Sequence, residues 1–212
     1  MIIFKKKSDL ATYLETKRQQ GNSIGFVPTM GALHKGHISL LKTAKKEHPL
    51  VVVSIFVNPT QFNDPADFTH YPRTIAEDLE LLEANGADVI FLPEVEEMYP
   101  HGTATTPAID LHEIDKVLEG KYRPGHFNGV VTIVDRLLKA VRPDALYLGQ
   151  KDYQQFMVIQ QLVAQRPELK VEIRLCSIIR ENDGLAMSSR NARLKPEERE
   201  EAPVIFQTLH KA

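Results

Sequence analysis

The chain has 212 residues, 42% of them hydrophobic and 25% charged, with a formal net charge of -2 and one cysteine. This is the balance of an ordinary globular chain long enough to bury a sizeable core in one large domain, with room for a small appendage. A near-neutral charge advertises no general attraction for nucleic acid, so any phosphate site must be local; a single cysteine excludes an intrachain disulfide.

At the N-terminus, Met1 to Phe4 are apolar and three lysines follow, a run too short for a signal peptide. Residues 50–57 are the longest apolar run and cannot cross a bilayer, so no membrane partner and a cytoplasmic location are expected. Residues 24–27 read as a short buried strand, 28–31 as a loop and about 36–47 as a helix. The β-branched run 50–57 reads as a central parallel strand ending at Asn58-Pro59. Helical spacing over 74–85, with Gly86 as a stop, precedes a strand at 88–92. A loop region rich in Pro, Gly and Thr leads to a helix over 129–141, a strand over 145–148, a helix over 153–166 and a strand over 171–179. Cys176 falls in that last apolar stretch and reads as a buried structural thiol. Lys195 to Arg199, with Pro196 near a helix start, lead into something further. Such β/α alternation predicts an α/β fold with a doubly wound parallel sheet, whose ligands sit at the carboxyl ends of the strands.

Two segments there carry chemistry. In residues 28–37, His34 and His37 flank Gly36 at a helix start, where free N–H groups, the helix dipole and the imidazoles suit a nucleotide α-phosphate. The competing readings are two idle surface histidines or a metal site, although no carboxylate or cysteine accompanies them locally. In residues 183–191, Ser188, Ser189 and Arg190 follow a strand and combine hydroxyls with a guanidinium suited to phosphate oxygens.

This pair resembles the HxGH and KMSKS-type signatures of the nucleotidylyltransferase superfamily. Longer strings narrow the resemblance: PTMGALHKGH (28–37), VSIFVNPTQF (53–62), YPRT (71–74) with EDLELL (77–82), LEGKYRPGHFNGVVTIV (118–134), LYLGQKDYQQ (146–155) and DGLAMSSRN (183–191). In that order they are similar to the pantothenate synthetase family along the whole chain. The resemblance implies a Rossmann-like fold and an ATP-dependent ligase that joins pantoate to β-alanine through pantoyl adenylate, with Mg2+ accompanying ATP. It implies an ATP loop of Met30, Gly31, Ala32, Leu33, His34, Lys35, Gly36 and His37, with both histidines on the phosphates and His37 as catalytic donor. A second ATP loop is Gly149, Gln150, Lys151 and Asp152, where Lys151 meets charge developing on the α-phosphate. Ile179 would contact adenine through its backbone, Met187, Ser188, Ser189 and Arg190 the phosphates, and Lys151 and Arg190 would join the histidines in catalysis. Gln61 would hold both pantoate and β-alanine, and Gln155 pantoate. Asp78 would sit near the magnesium, against the alternative of a solvated acid in the first turns of a helix. Asn58, Glu119, Arg123 and His126 fall in strings similar to site-lining loops.

The resemblance also implies a homodimer and a second, smaller domain acting as a lid. The expected division is a nucleotide-binding domain over 1–187, then a phosphate-loop segment and the start of a truncated C-terminal domain over 188–212. A form without its lid is expected to bind ATP weakly and ligate poorly, because closure excludes water from the adenylate. Two other functions share these local signals: transfer of a nucleotide to a phosphorylated acceptor, which would call for Arg or Lys at positions 61 and 155, and non-catalytic nucleotide sensing.

Overall fold

The structure, a computed structural model, describes residues 1–103 and 108–211. The elements are β1 (Ile2–Phe4), α1 (Lys7–Gln19), β2 (Ile24–Thr29), α2 (Lys35–Glu47), β3 (Leu50–Ile55), α3 (Pro65–Thr69), α4 (Ile75–Ala84), β4 (Val89–Phe91), α5 (Val95–Met98), α6 (Leu118–Tyr122), α7 (His126–Val141), β5 (Ala145–Gly149), α8 (Tyr153–Gln165), β6 (Glu172–Cys176), α9 (Pro196–Glu201) and α10 (Val204–Lys211). Among the described residues the six strands make one sheet in the order β1-β4-β3-β2-β5-β6, and every pairing is parallel. The doubly wound α/β fold expected from the alternation is therefore present. No helix among the described residues is long and apolar enough to cross a membrane.

Strand alternation distributes the core to both faces. Phe26, Val52, Phe91 and Leu146 pack with α1, α7 and α8 on one face; Val27, Val53, Ile90 and Tyr147 pack with α2 and α4 on the other. From β2 the chain steps outward to β3 and β4, then returns to place β5 on the other side of β2. That reversal is the switch point at which open α/β sheets form a ligand crevice. Here the crevice has a cause in the register. β2 and β3 pair over six residues, whereas β2 and β5 pair only at Gly25–Ala145 and Phe26–Leu146, so their carboxyl ends part.

Pro28 belongs to this opening. Sequence reading ends the strand at Val27 and begins a loop at Pro28, yet β2 continues to Thr29. The Thr29 carbonyl accepts the Phe56 N–H on the β3 side, so by alternation Pro28 faces β5, where the ladder has already ended. No ladder hydrogen bond is lost.

The other differences are local. β1 and α1 are invisible to sequence reading, because a three-residue strand gains its order from pairing Ile2, Ile3 and Phe4 with Val89, Ile90 and Phe91. β3 ends at Ile55 and β6 at Cys176, short of the apolar runs that announce them. The loop region after β4 contains α5 and α6; its residues 104–107 lie outside the described residues, as does Ala212 of the expected C-terminal segment. Pro196 opens α9 in its first turn, as its position suggests.

Candidate active site

The loop after β2 is shaped from within. Thr29 Oγ1 donates to the Ser54 carbonyl at 2.7 Å and accepts the Gly31 N–H at 3.2 Å. Gly31 at φ 82° and Ala32 at φ 49° then turn the chain through the left-handed region, and a side chain at Gly31 would meet Asp78 and Ile55. Asp78 completes the loop: one carboxylate oxygen accepts the Ala32 N–H at 2.9 Å and the other the Leu33 N–H at 2.7 Å. It is only 2% exposed, so it is not a solvated helix acid.

That loop delivers His34 to the N-cap of α2. Its Nδ1 accepts the Gly36 N–H at 3.1 Å, and His37 Nδ1 accepts the His34 N–H at 3.3 Å, a capping box built from two imidazoles. Gly36 is required, since a Cβ there would lie 2.8 Å from the His34 ring. Because each Nδ1 accepts, each neutral ring carries its proton on Nε2. Burial lowers the pKa of both, with His34 and Lys151 adding repulsion at His37, whose pKa is depressed to about 3. Near neutral pH the cap therefore presents two Nε2–H donors, not two cations. Their rings lie 4.1 Å apart by centroid, and both line a cavity at the parted ends of β2 and β5.

Around this cavity the loops contribute different chemistry. Lys151, in the 3-10 turn that follows β5, lines it and pairs with Asp152 at 2.8 Å. Neighbouring glutamines at the start of α8 divide: Gln154 donates to the Ile114 and Val117 carbonyls, while Gln155 lines the cavity. A single 3-10 turn over Pro59–Gln61 buries Gln61 against α7. There, Asn58 Nδ2 donates to Gln61 Oε1 at 3.1 Å, and His126 Nδ1–H to the Gln61 carbonyl at 2.7 Å. That bond fixes the His126 tautomer, and burial lowers its pKa as well. Arg123 Nη1 reaches His126 Nε2 at 3.2 Å and pairs with Glu119.

The segment after β6 folds back through an antiparallel bridge between Arg180 and Ala186, with the Met187 N–H on the Ile179 carbonyl at 3.0 Å. This places Met187 to Arg190 over the cavity, across from Gly36. Arg190 is engaged by protein: Asp67 on α3 takes its Nη2 at 2.8 Å and Arg193 Nη1 at 2.6 Å on its other oxygen. Tyr71, beneath the Arg190 guanidinium, meets Ser189 Oγ at 3.2 Å.

Of the expected site residues, Met30, His34, Gly36, His37, Gln61, Gly149, Lys151, Asp152, Gln155, Ile179 and Met187 to Arg190 line one cavity. Gly31, Ala32, Leu33, Lys35, Gln150 and Asp78 do not. For Ala32 and Leu33 the reason is explicit: their N–H groups are turned to Asp78. Sequence reading misses Asp67 and the hydroxyl of Tyr99, which sits behind Asn58; neither has a local signal.

A switch-point crevice lined by helix-cap histidines, a lysine, two arginines and three side-chain amides suits a nucleotide-dependent α/β enzyme. Comparison with known proteins gives the family. The profile of the family described as Pantoate-beta-alanine ligase matches residues 2–212. The pantothenate synthetase of Aquifex aeolicus is 52% identical over 208 residues, 98% of this chain and 73% of that protein. The Bacteroides fragilis enzyme of the same name is 52% identical over 96% of this chain and 71% of its own length. The crystal structure of the Francisella tularensis pantoate-beta-alanine ligase, complexed with β-γ ATP and β-alanine, superposes with a TM-score of 0.93 at 45% identity, covering 99% of this chain and 79% of that one. The chain belongs to the pantoate-beta-alanine ligase family, the ATP-dependent ligases of pantothenate biosynthesis.

Proposed function

We propose that the crevice between β2 and β5 is where ATP, pantoate and β-alanine react. The pantoate carboxylate attacks the α-phosphorus of ATP and pyrophosphate departs; the β-alanine amine then attacks the acyl carbon and AMP departs. The observation that carries this reading is the double histidine cap. Two histidines carrying Nε2–H donors, fixed through their Nδ1 atoms, line the same cavity as Lys151, Gln61 and Gln155. Donors fixed before the reaction stabilise charge developing on phosphate oxygens without reorganising. His37 and His34 take the phosphates, Lys151 places a point charge at the α-phosphate, and Arg190 serves the departing pyrophosphate after exchanging Asp67 for it. Gly36, Gly149, Asp152, Ile179, Met187, Ser188 and Ser189 complete the nucleotide site. Gln61 and Gln155 hold the acid, and an amide is apt because it offers donors without competing as a nucleophile. A phosphorylated acceptor is disfavoured by the same amides.

Magnesium is expected to arrive with ATP. Among the described residues no group of three or more His, Cys, Asp or Glu is arranged to hold a metal, and both Asp78 oxygens accept backbone N–H groups. Asp78 thus fits a loop-positioning role rather than a resident metal site, and no step here runs through a metal. On the resemblance, the working form is a cytoplasmic homodimer. The test is ATP–pyrophosphate exchange with pantoate against other hydroxy acids. Exchange is expected to require pantoate; exchange indifferent to the acid overturns the assignment.

A further inference from the structure

Tyr99 does not line the cavity, is 4% exposed and lies just past the end of α5. Its hydroxyl donates to Asn58 Oδ1 at 2.6 Å and lies 3.1 Å from Thr60 Oγ1. Thr60 Oγ1 also donates to Asn58 Oδ1, at 3.2 Å. Asn58, 1% exposed, sends Nδ2 to the Gly129 carbonyl at 3.2 Å and to Gln61 Oε1 at 3.1 Å. A carbonyl only accepts, so Gly129 requires the NH2 of Asn58 on that side and its oxygen on the side of the hydroxyls. Gln61 must then turn its own oxygen to Asn58. Its NH2 faces the other way, with Met30 Sδ at 3.2 Å as the partner of one hydrogen. Thioether sulfur is a weak acceptor, so the amide keeps donor capacity for a stronger one.

From these bonds we infer that Tyr99 is a positioning residue for the acid substrate: through Asn58 it fixes the Gln61 side chain with N–H rather than C=O towards the cavity. The inference rests on the reading of Gln61 as a pantoate ligand. Every donor in the series points the same way, from Tyr99 to Asn58, from Asn58 to Gln61, and from Gln61 to the substrate. A carboxylate or hydroxyl oxygen is bound by an amide N–H, and a carboxylate is repelled by an amide oxygen; the direction of the series therefore decides whether Gln61 attracts or rejects the acid. The Arg136 guanidinium stacks 4.5 Å over the Tyr99 ring, holding the ring while the hydroxyl does the orienting.

The test is a double-mutant cycle read by calorimetric binding of pantoate and, separately, of ATP. Tyr99→Phe keeps the ring and is expected to weaken pantoate by about tenfold, the loss of roughly one hydrogen bond to an oriented group, with ATP affinity within about twofold. In a Gln61→Ala background the same change is expected to alter pantoate affinity by less than about twofold, because the group it orients is gone. Thr60→Val, which removes the longer of the two contacts to Asn58 Oδ1, is expected to give a smaller effect in the same direction. Equal pantoate binding by wild type and Tyr99→Phe overturns the assignment, as does an equal loss of ATP and pantoate or a loss that persists undiminished without Gln61. A wild-type chain that binds ATP but no pantoate overturns the reading of Gln61, and this assignment with it.

Discussion

Two imidazoles three residues apart are held neutral here. Each ring uses Nδ1 to satisfy a backbone N–H at the start of α2, and the pKa of each is lowered, so each offers an Nε2–H. Removing one preorganised donor from a developing oxyanion typically costs a factor of about 10²–10³ in rate. His37→Ala is expected to slow pantoate-dependent pyrophosphate exchange by about that factor, and Lys151→Ala to lower kcat with the KM for ATP little changed. An unaltered exchange rate in both variants would support the sensor reading. Asp78 teaches a different lesson. Asp78→Asn replaces one acceptor by an NH2 group facing a backbone donor, so chemical denaturation is expected to show a loss of about 1–3 kcal/mol. Titration of exchange activity with magnesium is expected to give the same half-saturation as wild type; a large shift would restore a metal role to Asp78.

At the scale of elements, α7 connects the core to the site. Val130, Val131, Ile133 and Leu137 bury against the sheet, while His126 in its first turn holds the Gln61 carbonyl. Gly129 decides how closely the helix approaches: a Cβ there would lie 2.2 Å from the Thr60 carbonyl oxygen. Helix propensity alone favours alanine at such a position by up to about 1 kcal/mol. A backbone collision outweighs that preference, since overpacking a close-packed interface costs about 1–3 kcal/mol. Gly129→Ala is therefore expected to lower the urea midpoint and to weaken pantoate binding, both measurable on one preparation. A more stable variant with unchanged binding would show that α7 can retreat without disturbing the 3-10 turn at Gln61. The β2–β5 pair acts oppositely: its short ladder leaves space, and Pro28 sits on the side where no partner is needed.

For the whole molecule, the neutral histidines link stability to pH. The pKa of His37 falls from 6.5 to about 3 on folding, and those of His34 and His126 fall too. Between those values the unfolded chain binds protons that the native chain refuses. Stability is then fully present above about pH 6.5 and is lost progressively as pH falls towards about 3. Thermal melts are expected to show Tm falling over that window, with a shallower fall in His37→Asn. Equal slopes for the two proteins would mean that His37 accepts its proton in the folded state.

The sequence by itself determined the alternation of strands and helices, because β-branched runs, helical spacing and Gly or Pro stops are local signals. It also displayed His34, Gly36, His37, Lys151 and Ser188 to Arg190, whose chemistry is visible in short strings. The tertiary structure decided where β2 and β5 part, since that depends on register between strands about 120 residues apart, as the bond from the Ile24 N–H to Asp144 illustrates. It decided that Asp78 serves the loop, that Arg190 pairs with Asp67, and that Tyr99 reaches Gln61 through Asn58. The physical reason is common to all three: a side-chain oxygen or nitrogen is recognisable from sequence, but its partner and the direction of its hydrogen bond are set only by the fold that closes the distance.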